Sequence, residues 1–177
     1  MAVFIGAAAC GSSRRATTST PTTTTSAPSS TTSTSAFAGS TSPTSAPGTT
    51  ATLTGFRHSA QPGAERLVFD FQGGPPGYQV HYVSGHGVAK PSGQLATVAG
   101  DAAIEVVFNP AMAHDDQGHP TVTGSQAVKI AEGSVVEAVL VEDFEGYVSF
   151  AVGVLGHPAF HVSVLSAPPR IAVDIAS

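Results

Sequence analysis

The densest group of chemically able side chains is His114-Asp115-Asp116-Gln117-Gly118-His119, within a loop from Asn109 to Gln126 that is long for a compact domain. Imidazole nitrogens and carboxylate oxygens ligate divalent cations, so His114, Asp115, Asp116 and His119 form a candidate metal set. Their spacing matches no metal motif. The alternative is a solvated loop in which Asp115 and Asp116 open a turn closed by Gly118. Long loops are often functional, which keeps this stretch in view.

A second group could bind rather than react. Tyr78, Tyr82 and Tyr147 offer stacking faces to a glycan, and Arg57, Arg66 or Arg170 could hold a peptide carboxylate bidentately. Ordinary strand packing is the competing role for each tyrosine. Catalytic machinery is not evident, because the chain has no G-x-S-x-G elbow, P-loop or H-E-x-x-H motif. The one cysteine, Cys10, ends an apolar leader, a poor place for a nucleophile. His81 and His161 fall at strand positions that face away from the apolar stripes. Asp143 and Glu145 lie two apart, so on a strand they share a face; a structural turn role suits them. No catalytic residue, no enzyme activity and no cofactor are expected.

The elements that must position these residues read as strands. Leu67, Phe69 and Phe71 point one way while Arg66, Val68 and Asp70 point the other. Tyr78, Val80 and Tyr82 share a face, as do Ile104, Val106 and Phe108. Val148, Phe150, Val152 and Val154 form a stripe, followed by Phe160, Val162 and Val164, then Ile171, Val173 and Ile175. Ser134 to Glu142 is apolar on both faces, which predicts a central strand. Gly73-Gly74-Pro75-Pro76-Gly77, Pro91-Ser92-Gly93, Gly100-Asp101, Gly156-His157-Pro158 and Pro168-Pro169 break the runs. The pattern predicts an all-β domain, an antiparallel β-sandwich or open barrel of about 8–10 short strands.

One internal echo makes a specific claim. Arg66-Leu-Val-Phe-Asp-Phe71 and Arg170-Ile-Ala-Val-Asp-Ile175 share their order of Arg, apolar and Asp positions in the same phase. Arg and Asp four apart on a strand lie on one face. If the two strands pair antiparallel in register, each Arg meets the other's Asp across the ladder.

Composition changes sharply near residue 50. Thr17 to Thr50 contains no charged residue and one aromatic, Phe37. So little apolar surface cannot offset the entropy of ordering, and the tract is predicted to be disordered. The organisation expected is a leader over 1–10, a Ser/Thr/Pro-rich linker over 11–51 and one β domain over 52–177. All twelve acidic residues lie in that domain against five of the basic ones, for a formal charge of −7. A polyanion needs a basic stripe that this balance does not supply, so no nucleic acid partner is expected. A lone cysteine excludes an internal disulfide, and no apolar run is long enough for a transmembrane helix.

Met1 to Cys10 reads MAVFIGAAAC and is followed by Gly11, Ser12 and Ser13. It resembles the tail of a bacterial lipoprotein signal peptide, with Ala7 at the position usually held by Leu. The resemblance implies lipidation of Cys10, a membrane anchor and a place on the extracytoplasmic face of the cell membrane. The linker then serves as a stalk; as a coil of roughly 40 residues it reaches about 35 Å.

The folded part resembles the AMIN-like domain of actinobacterial lipoproteins. The resemblance lies in Arg57-His58 leading into Glu65-Arg66-Leu67-Val68-Phe69-Asp70-Phe71, in Pro76-Gly77-Tyr78-Gln79-Val80-His81-Tyr82-Val83, in Asp143-Phe144-Glu145-Gly146-Tyr147-Val148-Ser149-Phe150-Ala151-Val152-Gly153, and in Pro169-Arg170-Ile171-Ala172-Val173-Asp174. It implies a β-sandwich and, through the better-known AMIN domains, noncatalytic targeting to the cell envelope by binding peptidoglycan. The expectation is therefore a lipid-anchored, monomeric envelope lipoprotein that binds a cell-wall polymer or an envelope protein. The first alternative is a metal- or small-molecule-binding β domain using the 109–126 loop, and the second is a hydrolase of unrecognised type.

Overall fold

The computed structural model describes residues 37–90, 92–130 and 133–177. The leader with Cys10, and the linker as far as residue 36, lie outside the described residues. Those described form thirteen strands and no helix: β1 (Thr44–Ala46), β2 (Ala51–Gln61), β3 (Ala64–Gln72), β4 (Tyr78–Val83), β5 (Gly87–Ala89), β6 (Leu95–Thr97), β7 (Ala102–Phe108), β8 (Ala111–Met112), β9 (Ala127–Lys129), β10 (Val135–Phe144), β11 (Tyr147–Val154), β12 (Phe160–Ser166) and β13 (Pro169–Ala176). Eight of them have six residues or more and carry the alternating stripes. The excess over the expected number consists of β1, β5, β6, β8 and β9, pieces of two or three residues too short to leave a periodic signal.

A six-stranded sheet, in the order β1-β4-β7-β11-β10-β9, and a five-stranded sheet, β12-β13-β3-β2-β8, enclose the core. Every strand pairing is antiparallel except that of β8 with β2. The stripes meet as alternation requires. Leu67, Phe69, Ile171, Val173 and Ile175 face Val80, Ile104, Val106, Phe108, Phe150 and Val152, all of them fully enclosed. Phe69 sits centrally, its ring 4.8 Å from that of Phe108, 4.9 Å from Phe150 and 5.3 Å from Phe56. Burying each such side chain contributes roughly 1.5–3 kcal/mol.

The internal echo fixes register as expected. Arg170 stands opposite Asp70, and Asp174 opposite Arg66.

Two expectations are revised. The two-faced strand is β10, yet it is not central: only the three-residue β9 separates it from the sheet edge. Its outward valines, Val139 and Val141, are covered differently. The small β5–β6 hairpin lies over this face, where Val88 and Val98 pack with Ala103 and Ala151 in a second apolar cluster.

The boundary at residue 51 also moves. Ser40 exchanges two backbone hydrogen bonds with Phe160, of 2.9 and 2.8 Å, and β1 pairs with β4. Backbone pairing at a sheet edge asks little of side-chain hydrophobicity, so composition could not register it. Ala51 already belongs to β2. The turn role that suits Asp143 and Glu145 is found at Glu145. Glu145 and Gly146, with φ of 49° and 80°, form the two-residue turn that joins β10 to β11. Two successive positive φ values mark a type I′ hairpin turn.

Candidate functional site

The five-stranded sheet turns its non-apolar residues outward, and there the three candidate arginines meet. One register row holds Arg170, Asp70 and Gly55; the next holds Ser163, Ala172, Val68 and Arg57; the third holds His161, Asp174, Arg66 and Ser59. Three of the five basic residues of a net-anionic domain therefore occupy one sheet face. Arg66 grips Asp174 bidentately, with Nε to Oδ1 at 2.6 Å and Nη2 to Oδ2 at 2.9 Å. That hydrogen bonding raises the Arg66 pKa against a smaller opposing effect of burial.

The reciprocal pair does not form. A register shift between Leu53 and Gly55 places a glycine opposite Asp70, and Arg57 reaches across the vacant side-chain position to take the Asp70 carboxylate. Among the described residues Arg170 has no carboxylate partner, and its buried Nε has no hydrogen-bond partner. Val68 and Ala172 are buried on this outward face. The aliphatic stems of the arginines are the groups placed to cover them. The surface is a part-apolar patch with one guanidinium left over.

The tyrosines do not join this face. Tyr78 and Tyr82 lean inward from β4 in the other sheet and pack against the core. Tyr82 is tied down: its hydroxyl donates to the Pro158 carbonyl at 2.7 Å, and its ring stacks on His157 at 4.0 Å. Burial pushes its pKa up to about 12. Only Tyr147 is exposed, at the tip of the β10–β11 hairpin beside the equally exposed Phe144. The six residues expected to bind a ligand thus do not assemble: the three arginines share the outer face of one sheet, Tyr78 and Tyr82 lean into the core, and Tyr147 stands at a hairpin tip of the other sheet. Tyr78 and Tyr147 do share a cleft of about 320 Å³ with Ser45, Gln79 and Asn109.

The 109–126 loop is ordered by the same side chains proposed as metal ligands. Asp115 Oδ1 accepts the N–H groups of Gln117 at 2.9 Å and His119 at 2.8 Å, and Asp115 Oδ2 lies 3.2 Å from His119 Nδ1. The backbone bond from His119, then the lesser contributions of Gln117 and the His119 ring, hold the Asp115 carboxyl below its ordinary pKa. His114 turns the other way, with Nδ1 2.6 Å from Asp143 Oδ2. Asp143 Oδ1 also accepts the Ala113 N–H at 2.9 Å. The hydrogen bond from Asp143 raises the His114 pKa above its ordinary value. Asp116 is exposed. Among the described residues no group of three His, Cys, Asp or Glu converges as a metal ion would require, so the metal set does not assemble. The reason is local: each histidine takes its own carboxylate, and Asp115 closes the turn. What remains is an open cleft of about 460 Å³ between His114, Gln126, Glu142 and Asp143.

Three arrangements escaped the sequence reading. Glu65 is 3% exposed and 3.0 Å from His58 Nε2, an inward-facing acid at the end of the core. Its phase with Leu67, Phe69 and Phe71 was the available signal. On the other sheet His81 Nε2 lies 3.3 Å from Glu105, so this outward histidine is partnered rather than free in solvent. The exposed pairing of Phe144 with Tyr147 had no signal in alternation, because it depends on where the turn falls.

A family model described as the AMIN-like domain matches residues 51–177. Neither a curated protein nor a solved structure matches the chain.

Proposed function

We propose, for a chain that belongs to the AMIN-like domain family, a noncatalytic envelope-binding role in which the outer face of the five-stranded sheet holds carboxylates of a cell-wall polymer, peptidoglycan above all. The observation that carries this reading is the gathering of Arg57, Arg66 and Arg170 on one face, with Arg170 lacking a carboxylate partner among the described residues. A planar guanidinium matches a carboxylate bidentately and favours anions even where the whole domain is negative. Peptide stems of the wall present carboxylates on a repeating lattice, which suits a weak binding surface of exposed guanidinium groups. An envelope protein with an acidic patch is the second partner of the same chemistry. The location belongs to the same proposal: the leader ending at Cys10 and the Ser/Thr/Pro tract support a lipid anchor on the extracytoplasmic face.

One experiment addresses both halves. The full chain is expected in the membrane fraction of an expressing cell, and Cys10→Ser is expected to release it. The released protein is then mixed with purified sacculi. Retention that falls at least about tenfold in Arg170→Ala, and declines as salt is raised, supports the arginine face. Retention unchanged by Arg170→Ala sinks it.

A further inference from the structure

The tip of the β10–β11 hairpin leaves two aromatic rings in water. Phe144 and Tyr147 stand opposite each other across the Glu145-Gly146 turn and are 53% and 50% exposed. Adjacent exposed aromatics are characteristic of a binding surface, because packing gives no reason to leave them out. Tyr147 borders the open end of the six-stranded sheet's outer face, where Ser45, Gln79 and Val107 stand side by side in one register row. These residues floor the cleft of about 320 Å³ described above.

The cleft is a built feature. Gly77 at its base lets three backbone segments meet: an added Cβ would lie 3.1 Å from the Gly48 nitrogen and 3.2 Å from the Ala46 oxygen, and would overlap the Asn109 carbonyl. Asn109 donates its backbone N–H to Gly77 and its side-chain amide to the Gly146 carbonyl, both at 2.9 Å. The second bond fixes the hairpin tip against the cleft wall. No residue lining the cleft is Asp, Glu, Lys or Arg, although acidic residues are frequent elsewhere in the domain.

We propose that this cleft binds an uncharged sugar unit of an oligosaccharide, its ring laid on Tyr147 and its hydroxyls met by Gln79 and Ser45. A charged ligand would find no counter-charge there, and a wholly apolar one would leave the amide and hydroxyl groups without partners. A sugar ring has an apolar C–H face and a polar rim, which matches one aromatic wall and a floor of neutral hydrogen-bonding groups. The inference rests on the envelope reading for the expectation that a sugar polymer is the ligand, but it uses the opposite face of the sandwich.

The test is a titration of the isotope-labelled full chain, followed by amide NMR, with chitotetraose and separately with maltotetraose. Saturable shifts at Gln79, Asn109 and Tyr147 with either sugar are expected, and the stronger of the two tells whether the source is an amino-sugar glycan or a plain glucan. Tyr147→Ala should weaken binding about tenfold, while Tyr147→Phe, which keeps the ring, should bind within about twofold of the unsubstituted chain. Shifts that do not saturate with either sugar, that fall elsewhere, or that survive Tyr147→Ala overturn the proposal. Sugar binding that persists in Arg170→Ala while sacculus retention is unaffected by that substitution would remove the arginine reading alone. Retention that depends on Arg170 without sugar binding would remove the cleft alone.

Discussion

Along β13 and β3 the outward residues are Arg170, Ala172 and Asp174 beside Asp70, Val68 and Arg66, and the guanidinium side chains of Arg57 and Arg66 are 49% and 41% exposed. Along β7, β11 and β10 the outward residues are Ala103, Ala151 and Val139, and the β5–β6 hairpin lies on them. Both faces come from the same period-two alternation. One is an open, mostly paired ionic lattice and the other is an interior in miniature, closed by a third layer. Farther along the six-stranded sheet the cover ends; Glu105, whose pKa burial raises against the opposing pull of His81, marks the middle ground. The comparison teaches that alternation assigns side chains to a face, whereas the chemistry of those side chains decides whether the face is covered.

The strongest way to break this contrast is to add one methyl group to each face. Gly153 points outward beneath the Ala99 backbone, and a Cβ there would overlap the Ala99 carbonyl. Gly55 points outward on the other sheet, where a Cβ would meet Asp70 Oδ2 at 3.2 Å, the movable end of a side chain. Gly153→Ala should cost about 2–3 kcal/mol by lifting the covering segment. Gly55→Ala should stay within about 1 kcal/mol of the original, since the entropy gained by losing a strand glycine offsets a small shift of Asp70. Urea unfolding of both variants decides it; equal losses would mean that the two faces are not differently covered.

Within the ionic face, the next largest effect separates its two ion pairs. Asp174 is 8% exposed, so Arg66→Ala leaves a nearly enclosed carboxylate without its bidentate partner and should cost about 1–3 kcal/mol. The Asp70 side chain is 29% exposed and screened by water, so Arg57→Ala should cost no more than about 1 kcal/mol. If urea midpoints fall equally for the two, burial of the acid is not what distinguishes the pairs.

Much of this was legible in the sequence, and the reasons for the remainder are physical. The inward stripes placed Phe69, Phe108 and Phe150 in one core because a two-residue period has no alternative face to offer. The echo of Arg66 and Asp70 in Arg170 and Asp174 gave the register of β3 with β13. It could not foresee that Arg57 would take Asp70, because that depends on a one-residue irregularity beside Gly55. The double-sided apolar pattern of β10 predicts a central position, but a short hairpin supplies the cover that a neighbouring layer would. Of the candidate ligand residues, the arginines share a face because all three stand at outward positions of adjacent strands. The tyrosines scatter because Tyr78 and Tyr82 stand in phase with Val80, inward, while Tyr147 begins its strand outward.

The smallest effect concerns the clasp that joins the two sheets at one end. The 109–126 loop contains β8 of the five-stranded sheet, and His114 just beyond that strand reaches Asp143 near the end of β10 in the six-stranded sheet. Because the bond from Asp143 raises the folded pKa of His114, the stability this contact contributes is fully present below the unfolded histidine value and is lost as pH rises through the raised folded value. NMR titration of the His114 ring should give a midpoint above about 6.5, the ordinary histidine value. Asp143→Asn keeps an oxygen for the Ala113 N–H but removes the charge, so it should return the midpoint toward about 6.5. The same substitution should lower the unfolding midpoint more at pH 5.5 than at pH 8.5, a window chosen to span the unfolded value. A His114 midpoint at or below the ordinary value, or a penalty equal at both pH values, would mean that the clasp is a neutral hydrogen bond and that the sheets are joined here without charge.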